Sequence, residues 1–88
     1  MNKPPLPEAL QRTFGKTVRC LRKRIGMAQE TLALETGIGR SYMGALERGL
    51  HSPSLNTIYQ LLPVLRVSFP EFAQEFENNL HPRAKRQA

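Results

Sequence analysis

Side chains capable of covalent or acid–base catalysis are few in this 88-residue sequence. Its single cysteine, Cys20, has no histidine near it, and His51 and His81 are far from each other, each near a proline. A nucleophile needs an adjacent base, and a metal site needs several ligands at a characteristic spacing. Because neither pattern is present, the sequence predicts a protein that is not an enzyme and that needs no metal or cofactor.

Charge offers a second kind of chemistry, the binding of anions. The chain carries 13 basic and 7 acidic residues, a formal net charge of +6, and nine of the basic residues are arginine. Arginine can bind phosphate through two parallel hydrogen bonds, so this balance favours a nucleic acid partner. A basic surface that only keeps the protein dispersed explains the charge equally well.

Polar and basic side chains suited to such binding are grouped in the stretch 29–48. In a first short helix, Leu32 and Thr36 share one face, and Gly37 follows where the chain must turn, because glycine adopts left-handed backbone angles without strain. The second short helix has an apolar side, Met43 and Leu46, and a small, polar and basic side, Arg40, Ser41, Gly44, Ala45 and Arg48. This pattern predicts a helix-turn-helix, whose second helix enters the major groove of DNA.

Four short motifs in this region resemble those of one family. They are A-Q-E-T-L-A at 28–33, G-I-G-R-S-Y-M at 37–43, L-E-R-G at 46–49 and P-S-L at 53–55. From Phe14 to Phe72 the sequence resembles the xenobiotic-response-element family, the Cro and phage-repressor class of helix-turn-helix proteins. The resemblance implies an all-α, five-helix, lambda-repressor-like domain. It also implies a transcriptional regulator, a repressor, that binds a palindromic DNA operator as a homodimer.

Direct reading of bases is expected from the second helix, 40–48. Arg40 stands at its start, where an arginine bound to guanine O6 and N7 is the commonest specific contact. Ser41 can donate or accept a hydrogen bond, and the methyl group of Ala45 suits the methyl group of thymine. Gly44 allows close approach. The family usually has a serine at Gly44 and a longer polar residue at Ala45, so we expect Arg40 to carry much of the readout.

Contacts with DNA phosphates are expected around this helix. In the family, the residue at Gln29 binds a phosphate and braces the first recognition residue, here Arg40, and the loop after the helix lies against the DNA backbone. A free helix N-terminus also favours anions. The phosphate-binding candidates are Gln29, Tyr42, Arg48, His51, Ser52 and Ser54. For Tyr42, packing over the preceding helix is an equal alternative.

One ion pair is implied by the resemblance. An arginine at the place of Arg22 pairs in the family with the glutamate late in the recognition helix, here Glu47. We therefore expect a partly buried Arg22–Glu47 pair that ties the first helix to the third. The alternative is that both are ordinary surface charges.

Outside 29–48 the sequence predicts a flexible, proline-rich arm at 1–7, a helix-turn-helix domain at 8–80 and a basic, disordered tail at 81–88. Leu10, Phe14, Val18, Leu21 and Ile25 recur at helical spacing and predict a first amphipathic helix. Gly15 within it indicates close packing. The lone cysteine and the lack of a membrane span or signal peptide favour a cytoplasmic, nucleoid-associated location.

The remaining expectations concern the last two predicted helices. Ser54 should cap the fourth, and Pro63 should end or bend it near 59–62. Ser68 and Glu71 form a capping box for the fifth, and Phe69 should fill the core. A homodimer contact is expected from an exposed apolar stripe of the fifth helix, formed by Phe72, Phe76 and Leu80. For Phe72, a place in the core is an equal alternative to the dimer contact.

Several roles remain open for such a domain. A stand-alone regulator fits a Cro-like repressor, a controller protein of a restriction–modification system, or a helix-turn-helix antitoxin. Its partners are then double-stranded DNA and a second copy of itself, with RNA polymerase or a toxin as further candidates, and no membrane. The alternative class is a protein-interaction module that uses the apolar C-terminal helix.

Overall fold

Five α-helices make up the fold in the computed structural model, which describes residues 3–82. They are α1 (Pro7–Arg24), α2 (Gln29–Thr36), α3 (Arg40–Glu47), α4 (Leu55–Leu65) and α5 (Phe69–Leu80). No β-strand occurs within 3–82. The predicted all-α, five-helix fold is therefore confirmed. Most of the predicted tail and the first two residues of the arm lie outside the described residues.

The core is apolar and is built around α1, which packs against both α3 and α5. Its buried members are Phe14, Val18, Leu21, Leu32, Ala33, Ile38, Met43, Leu46, Leu61, Leu62, Leu65 and Phe72. One polar contact crosses this core, because Asn79 donates its side-chain amide to the buried hydroxyl of Thr17 at 2.9 Å. Thr17 in turn donates to the Thr13 carbonyl at 2.8 Å, so both partners in this contact are satisfied.

Two glycines let α1 lie against the end of α3. A Cβ on Gly15 would lie 2.5 Å from the backbone oxygens of Leu46 and Glu47, which is closer than atoms can approach. Gly49 has a φ of +77°, and a Cβ there would lie 2.8 Å from Cα of Arg12. The close packing predicted for Gly15 is thus confirmed, and it fixes how α3 is presented.

The fourth helix corrects one prediction. Ser54 caps it by accepting from the Thr57 N–H at 3.1 Å, but the helix does not end near 59–62. Pro63 has no N–H to donate to the Tyr59 carbonyl, so that hydrogen bond is missing as predicted, but the chain stays helical through Pro63. The helix continues to Leu65 and closes through left-handed Arg66, with a φ of 64°.

The fifth helix has the predicted capping box but orients its aromatic side chains differently. Ser68 and Glu71 make both reciprocal hydrogen bonds, at 2.8 and 3.2 Å. Phe69 does not fill the core: it is 40% exposed and stacks on Tyr59, with ring centroids 5.5 Å apart. Phe72 is buried instead, so the core position that was its alternative prediction is confirmed, and almost none of its surface is left for the predicted dimer contact.

The packing of α5 along α1 explains this correction. The Phe72 ring lies 5.3 Å from the Phe14 ring and is 4% exposed. Phe76 also packs partly against the core, and Leu80 is half-buried. The predicted stripe is therefore not an exposed face, because α1 already covers much of it.

Candidate functional site

The corner between α2 and α3 is set by a short, well-bonded turn. Gly37 has a φ of +77°, which ends α2, and its N–H donates to the Leu34 carbonyl at 3.3 Å. Ile38 is buried in the corner. The hydroxyl of Thr36 donates to the Leu32 carbonyl at 2.7 Å and accepts from the Ile38 N–H at 3.3 Å. These contacts place α3 at a fixed angle on the surface.

Only the first turn of α3 and the residue just after the helix face outward. Arg40, Ser41 and Tyr42 are exposed, and so is Arg48 immediately after the helix. The five residues between them, 43–47, are buried. A partner approaching this helix therefore meets its first turn before any other part of it.

This burial corrects two predicted base contacts. Ala45 is only 8% exposed, so its methyl group offers almost no surface to a thymine. Gly44 is covered by its neighbours: a Cβ there would lie 3.2 Å from Nη1 of Arg48 and 3.5 Å from Oε1 of Gln29. Gly44 thus lets these two side chains cross the helix, and does not itself open it to a base.

A concave surface begins at the first turn of α3. It encloses about 990 Å³ and is lined by Gln29, Glu30, Gly39, Arg40, Ser41 and Tyr42. Within it, Nη2 of Arg40 lies 2.8 Å from Oε2 of Glu30, and both side chains are exposed. Sequence reasoning missed Glu30. The one signal available was an acidic residue in the first turn of α2, next in sequence to a predicted contact.

Gln29 is placed differently from its predicted bracing role. Its side-chain amide nitrogen donates to Oε1 of Glu47 at 3.0 Å. Within the described residues it makes no hydrogen bond with Arg40. Gln29 still lines the concave surface, and its contact with a phosphate stays a prediction.

Arg22 and Glu47 form the contact that the resemblance implies. Arg22 donates Nε to Oε2 at 2.7 Å and Nη2 to Oε1 at 2.8 Å, which is the two-pronged geometry of a strong pair. Its Nη1 donates to the Met27 carbonyl at 2.9 Å. Arg22 is 8% exposed and Glu47 3% exposed. The pair joins α1, the α1–α2 turn and α3 from inside.

A second arginine, which sequence reasoning did not single out, completes this network. Arg19 donates Nη2 to the backbone carbonyl of Glu47 at 2.9 Å, and its Nε lies 3.8 Å from Oε1 of the same residue. It precedes Arg22 by three positions and therefore lies on the same face of α1. Spacing alone could not separate it from the solvated basic residues of that helix.

Electrostatics in this network favour the charged forms. Burial alone would raise the pKa of Glu47, but hydrogen bonds from Arg22 and Gln29, with the charges of Arg22 and Arg19, outweigh it and leave the pKa below its usual range. The hydrogen bond to Glu47 is the largest influence on Arg22 and raises its pKa against the smaller effect of burial. Both groups are therefore ionised at neutral pH.

The loop after α3 continues the outward surface. The ring of Tyr42 stacks on that of His51, with centroids 5.1 Å apart and planes 24° apart. The Tyr42 ring thus packs on the loop, a contact that neither predicted alternative included, and Tyr42 is still 37% exposed. Its contact with a phosphate stays a prediction. Ser52 is also exposed, while the Ser54 hydroxyl is engaged in the cap of α4.

This surface offers hydrogen-bond donors and positive charge without a catalytic constellation. Arg40, at the start of α3, and Arg48, immediately after its end, are exposed cations, flanked by Ser41, Tyr42 and His51. Within 3–82 no three His, Cys or acidic side chains are grouped as metal ligands. Over the same residues, no helix has the length and apolar character that crossing a membrane demands. Such an arrangement suits binding to base edges and phosphates.

Comparison with known proteins agrees with this geometry. A sequence model of the helix-turn-helix family matches residues 18–72. The uncharacterized HTH-type transcriptional regulator YazB of Bacillus subtilis is 38% identical over 60 residues, which is 68% of this chain and 87% of YazB. The phage CTXphi transcriptional repressor RstR of Vibrio cholerae is 31% identical over 82% of this chain and 65% of RstR.

Some relatives are much longer than this chain. The HTH-type transcriptional regulator SlrR of Bacillus subtilis is 36% identical over 66% of this chain, but the match spans only 39% of SlrR. The similarity to SlrR therefore concerns one part of that protein, the part that contains the helix-turn-helix.

Two solved structures are similar in fold. The restriction–modification controller protein C.AhdI of Aeromonas hydrophila has a TM-score of 0.67 and 40% identity, over 70% of this chain and 94% of C.AhdI. The controller protein C.Esp1396I, solved as a tetramer with its natural operator, has a TM-score of 0.76 over 81% of this chain and 93% of that protein. Its identity is 22%, so it supports the fold alone.

Proposed function

Because the chain belongs to the helix-turn-helix family of DNA-binding transcriptional regulators, we propose that it binds a palindromic operator as a homodimer and represses transcription there. The observation that carries this proposal is the exposed first turn of α3, with Arg40 and Ser41 pointing away from a buried remainder. In this class of protein, the first residues of the second helix meet the base edges in the major groove.

Arg40 is the principal base-reading residue of this proposal. Its side chain is 75% exposed, and a guanine offers O6 and N7 as paired acceptors at the floor of the groove. Ser41 is its exposed neighbour and supplies a weaker, less selective contact. With Ala45 and Gly44 covered, direct readout is confined to one turn, and sequence-dependent DNA shape supplies the rest of the specificity.

Phosphate contacts come from the rim around that turn. Arg48 and the Tyr42–His51 stack lie on the outer side of α3, and Ser52 follows in the loop. Gln29 lies on the other side, at the start of α2, where its backbone N–H belongs to a helix N-terminus. These groups position the helix without distinguishing one sequence from another.

The homodimer contact needs a different apolar surface from the predicted stripe. Tyr59 and Phe69 stack on each other while remaining 54% and 40% exposed, and Leu55, one turn before Tyr59, is 61% exposed. We assign the contact to this α4–α5 edge, with Phe76 and Leu80 as its half-buried border. A symmetric pair then places two recognition helices in successive major grooves, about 34 Å apart.

A controller protein of a restriction–modification system is the second candidate. The identity of 40% with C.AhdI, across 94% of that protein, favours it. The antitoxin role has no comparable support. In each case we propose a cytoplasmic, non-enzymatic protein that acts by occupying promoter DNA. A contact with RNA polymerase would indicate activation, whereas blocking the polymerase from the promoter would indicate repression.

Selection from a randomised DNA pool at physiological salt tests this function, because salt weakens the non-specific electrostatic contribution. An enriched inverted repeat with half-sites one helical turn apart is the expected result. An enriched single half-site would remove the dimer and keep DNA recognition. Absence of enrichment would contradict the proposal and favour the protein-interaction module.

A further inference from the structure

We propose that Glu30 is a specificity-determining residue that holds Arg40 for guanine and penalises binding to other DNA. This inference rests on the proposed role of Arg40 in reading bases. It starts from the ion pair across the corner, in which Arg40 Nη2 lies 2.8 Å from Glu30 Oε2.

The position of Arg40 is unfavourable for a cation in the absence of DNA. The N-terminus of a helix carries partial positive charge, so an arginine in the first turn is repelled by it. α3 has no acidic residue in its own first turn, and its cap residue is Gly39, which makes no side-chain hydrogen bond. Glu30, reaching over from α2, is the compensating anion.

The position of Glu30 has a partial explanation within its own helix. An acidic residue in the first turn of α2 interacts favourably with that helix dipole. This interaction depends only on charge and place, and it leaves the side chain free to point elsewhere. The contact with Arg40 is an additional feature, because it links the first turns of two helices on one concave surface.

The charge of Glu30 matters most when DNA approaches. The concave surface that holds it is the one proposed to face the double helix, and Glu30 is 65% exposed there. On random DNA, Arg40 gains no paired hydrogen bonds to guanine, and the Glu30 carboxylate still lies beside a polyanion that repels it. On the preferred base pair, Arg40 can direct further N–H groups at guanine while Glu30 stays next to it, since a guanidinium has five donors.

Glu30 therefore weakens binding to random DNA more than it weakens binding to the operator. It raises the penalty for releasing Arg40 and repels phosphates that are out of place. The pair is exposed and worth little to folding, so its removal should leave the fold intact.

Glu30→Gln tests this inference, with Glu35→Gln as the matched control. Both residues lie in α2, and both changes remove one negative charge and preserve side-chain size, but Glu35 is exposed outside the concave surface. Affinity is measured for the operator enriched by selection and for random DNA of equal length. We expect Glu30→Gln to tighten random-DNA binding about three- to tenfold, as expected for one charge at close range.

Operator affinity should change by less, so the ratio of operator to random affinity should fall. Glu35→Gln should change both affinities equally and by a smaller factor. Equal effects of the two substitutions would overturn the inference. A selective loss of operator binding in Glu30→Gln that persists in the Arg40→Ala background would also overturn it, because Glu30 would then contact a base directly.

Arg40→Ala, alone and with Glu30→Gln, separates this inference from the function on which it rests. If Glu30 acts through Arg40, its effect on the affinity ratio should largely disappear in the Arg40→Ala background. An undiminished effect there would overturn the inference. If Arg40→Ala alone leaves the base preference unchanged, the proposed role of Arg40 fails instead.

Discussion

The chain contains two arginine–glutamate pairs of nearly the same length in very different surroundings. Arg22 and Glu47 lie 2.7 Å apart with 10% and 2% of their side chains exposed. Arg40 and Glu30 lie 2.8 Å apart with 75% and 65% exposed. The first pair joins α1 to α3 from inside, and the second crosses between α2 and α3 on the outside.

Burial, and not distance, decides what each pair does. Glu47 accepts two hydrogen bonds from Arg22 and one from Gln29, so both of its carboxylate oxygens are bonded to protein groups. A buried charge deprived of its partner has no water to replace it, whereas an exposed one is rehydrated. The inner pair, Arg22–Glu47, therefore fixes the orientation of α3. In the outer pair, Arg40–Glu30, the arginine can exchange Glu30 for DNA.

Removing the acid from each pair should give the largest contrast. Glu47→Ala leaves Arg22 buried and unpaired and should lower the free energy of unfolding by about 3–5 kcal/mol. Glu30→Ala, the matched control, should lower it by less than about 1 kcal/mol, since that pair is exposed. Chemical denaturation of the two variants at neutral pH measures both values.

The inner pair can be tested further with Arg22→Ala and the double variant. Once one partner is gone, removing the other should cost far less, so the losses should not add. Strictly additive losses would show that the two side chains contribute independently, and would contradict the account of the inner pair. If Glu47→Ala does not fold, Glu47→Gln keeps the shape and allows the same cycle.

Acid should weaken the inner pair in a defined direction. The pKa of Glu47 is lower in the folded chain than in the unfolded one, so its stabilisation is complete above the unfolded value of about 4.3. It is lost as the pH falls below that value and through the lowered folded pKa. Wild-type stability should therefore fall more between neutral pH and about pH 3 than that of Glu47→Gln. Parallel pH profiles would contradict this.

Salt should give the smallest effect and should weaken only the stabilisation provided by the outer pair. Exposed charges are screened within about 3 Å at 1 M salt, while buried ones are screened much less. The small destabilisation caused by Glu30→Ala should vanish at high salt, and that caused by Glu47→Ala should persist. Denaturation by urea at low and high salt measures both, and loss of the Glu47→Ala effect would mean that water reaches the inner pair.

Sequence patterns predicted the helices well because each is marked locally. Helical spacing in α1, Gly37 at the corner and the capping box at Ser68 all report on the chain within a few residues. Pro63 was misjudged because the loss of one hydrogen bond, to the Tyr59 carbonyl, does not by itself end a helix that is held by packing. Leu61, Leu62 and Leu65 are buried on either side of Pro63, and the helix continues to Leu65.

Side-chain exposure was less predictable because it depends on distant packing. Phe69 and Phe72 are equally apolar, and only the contact of α5 with α1 decides which of them is buried. Ala45 stood on the polar side of α3 by spacing, yet its surroundings cover it. The Glu30–Arg40 contact was missed for the same reason, since it joins two helices whose relative angle the sequence does not state.

The proposed function depends most on Arg40 reading a base from the exposed first turn of α3. The most direct test compares wild type and Arg40→Ala on the selected operator and on each of its single-base-pair variants. We expect a loss of about 1–3 kcal/mol on the operator and a relaxed preference at one base pair, with the other positions unchanged. A uniform loss on every sequence, with all preferences retained, would contradict it and make Arg40 a phosphate contact.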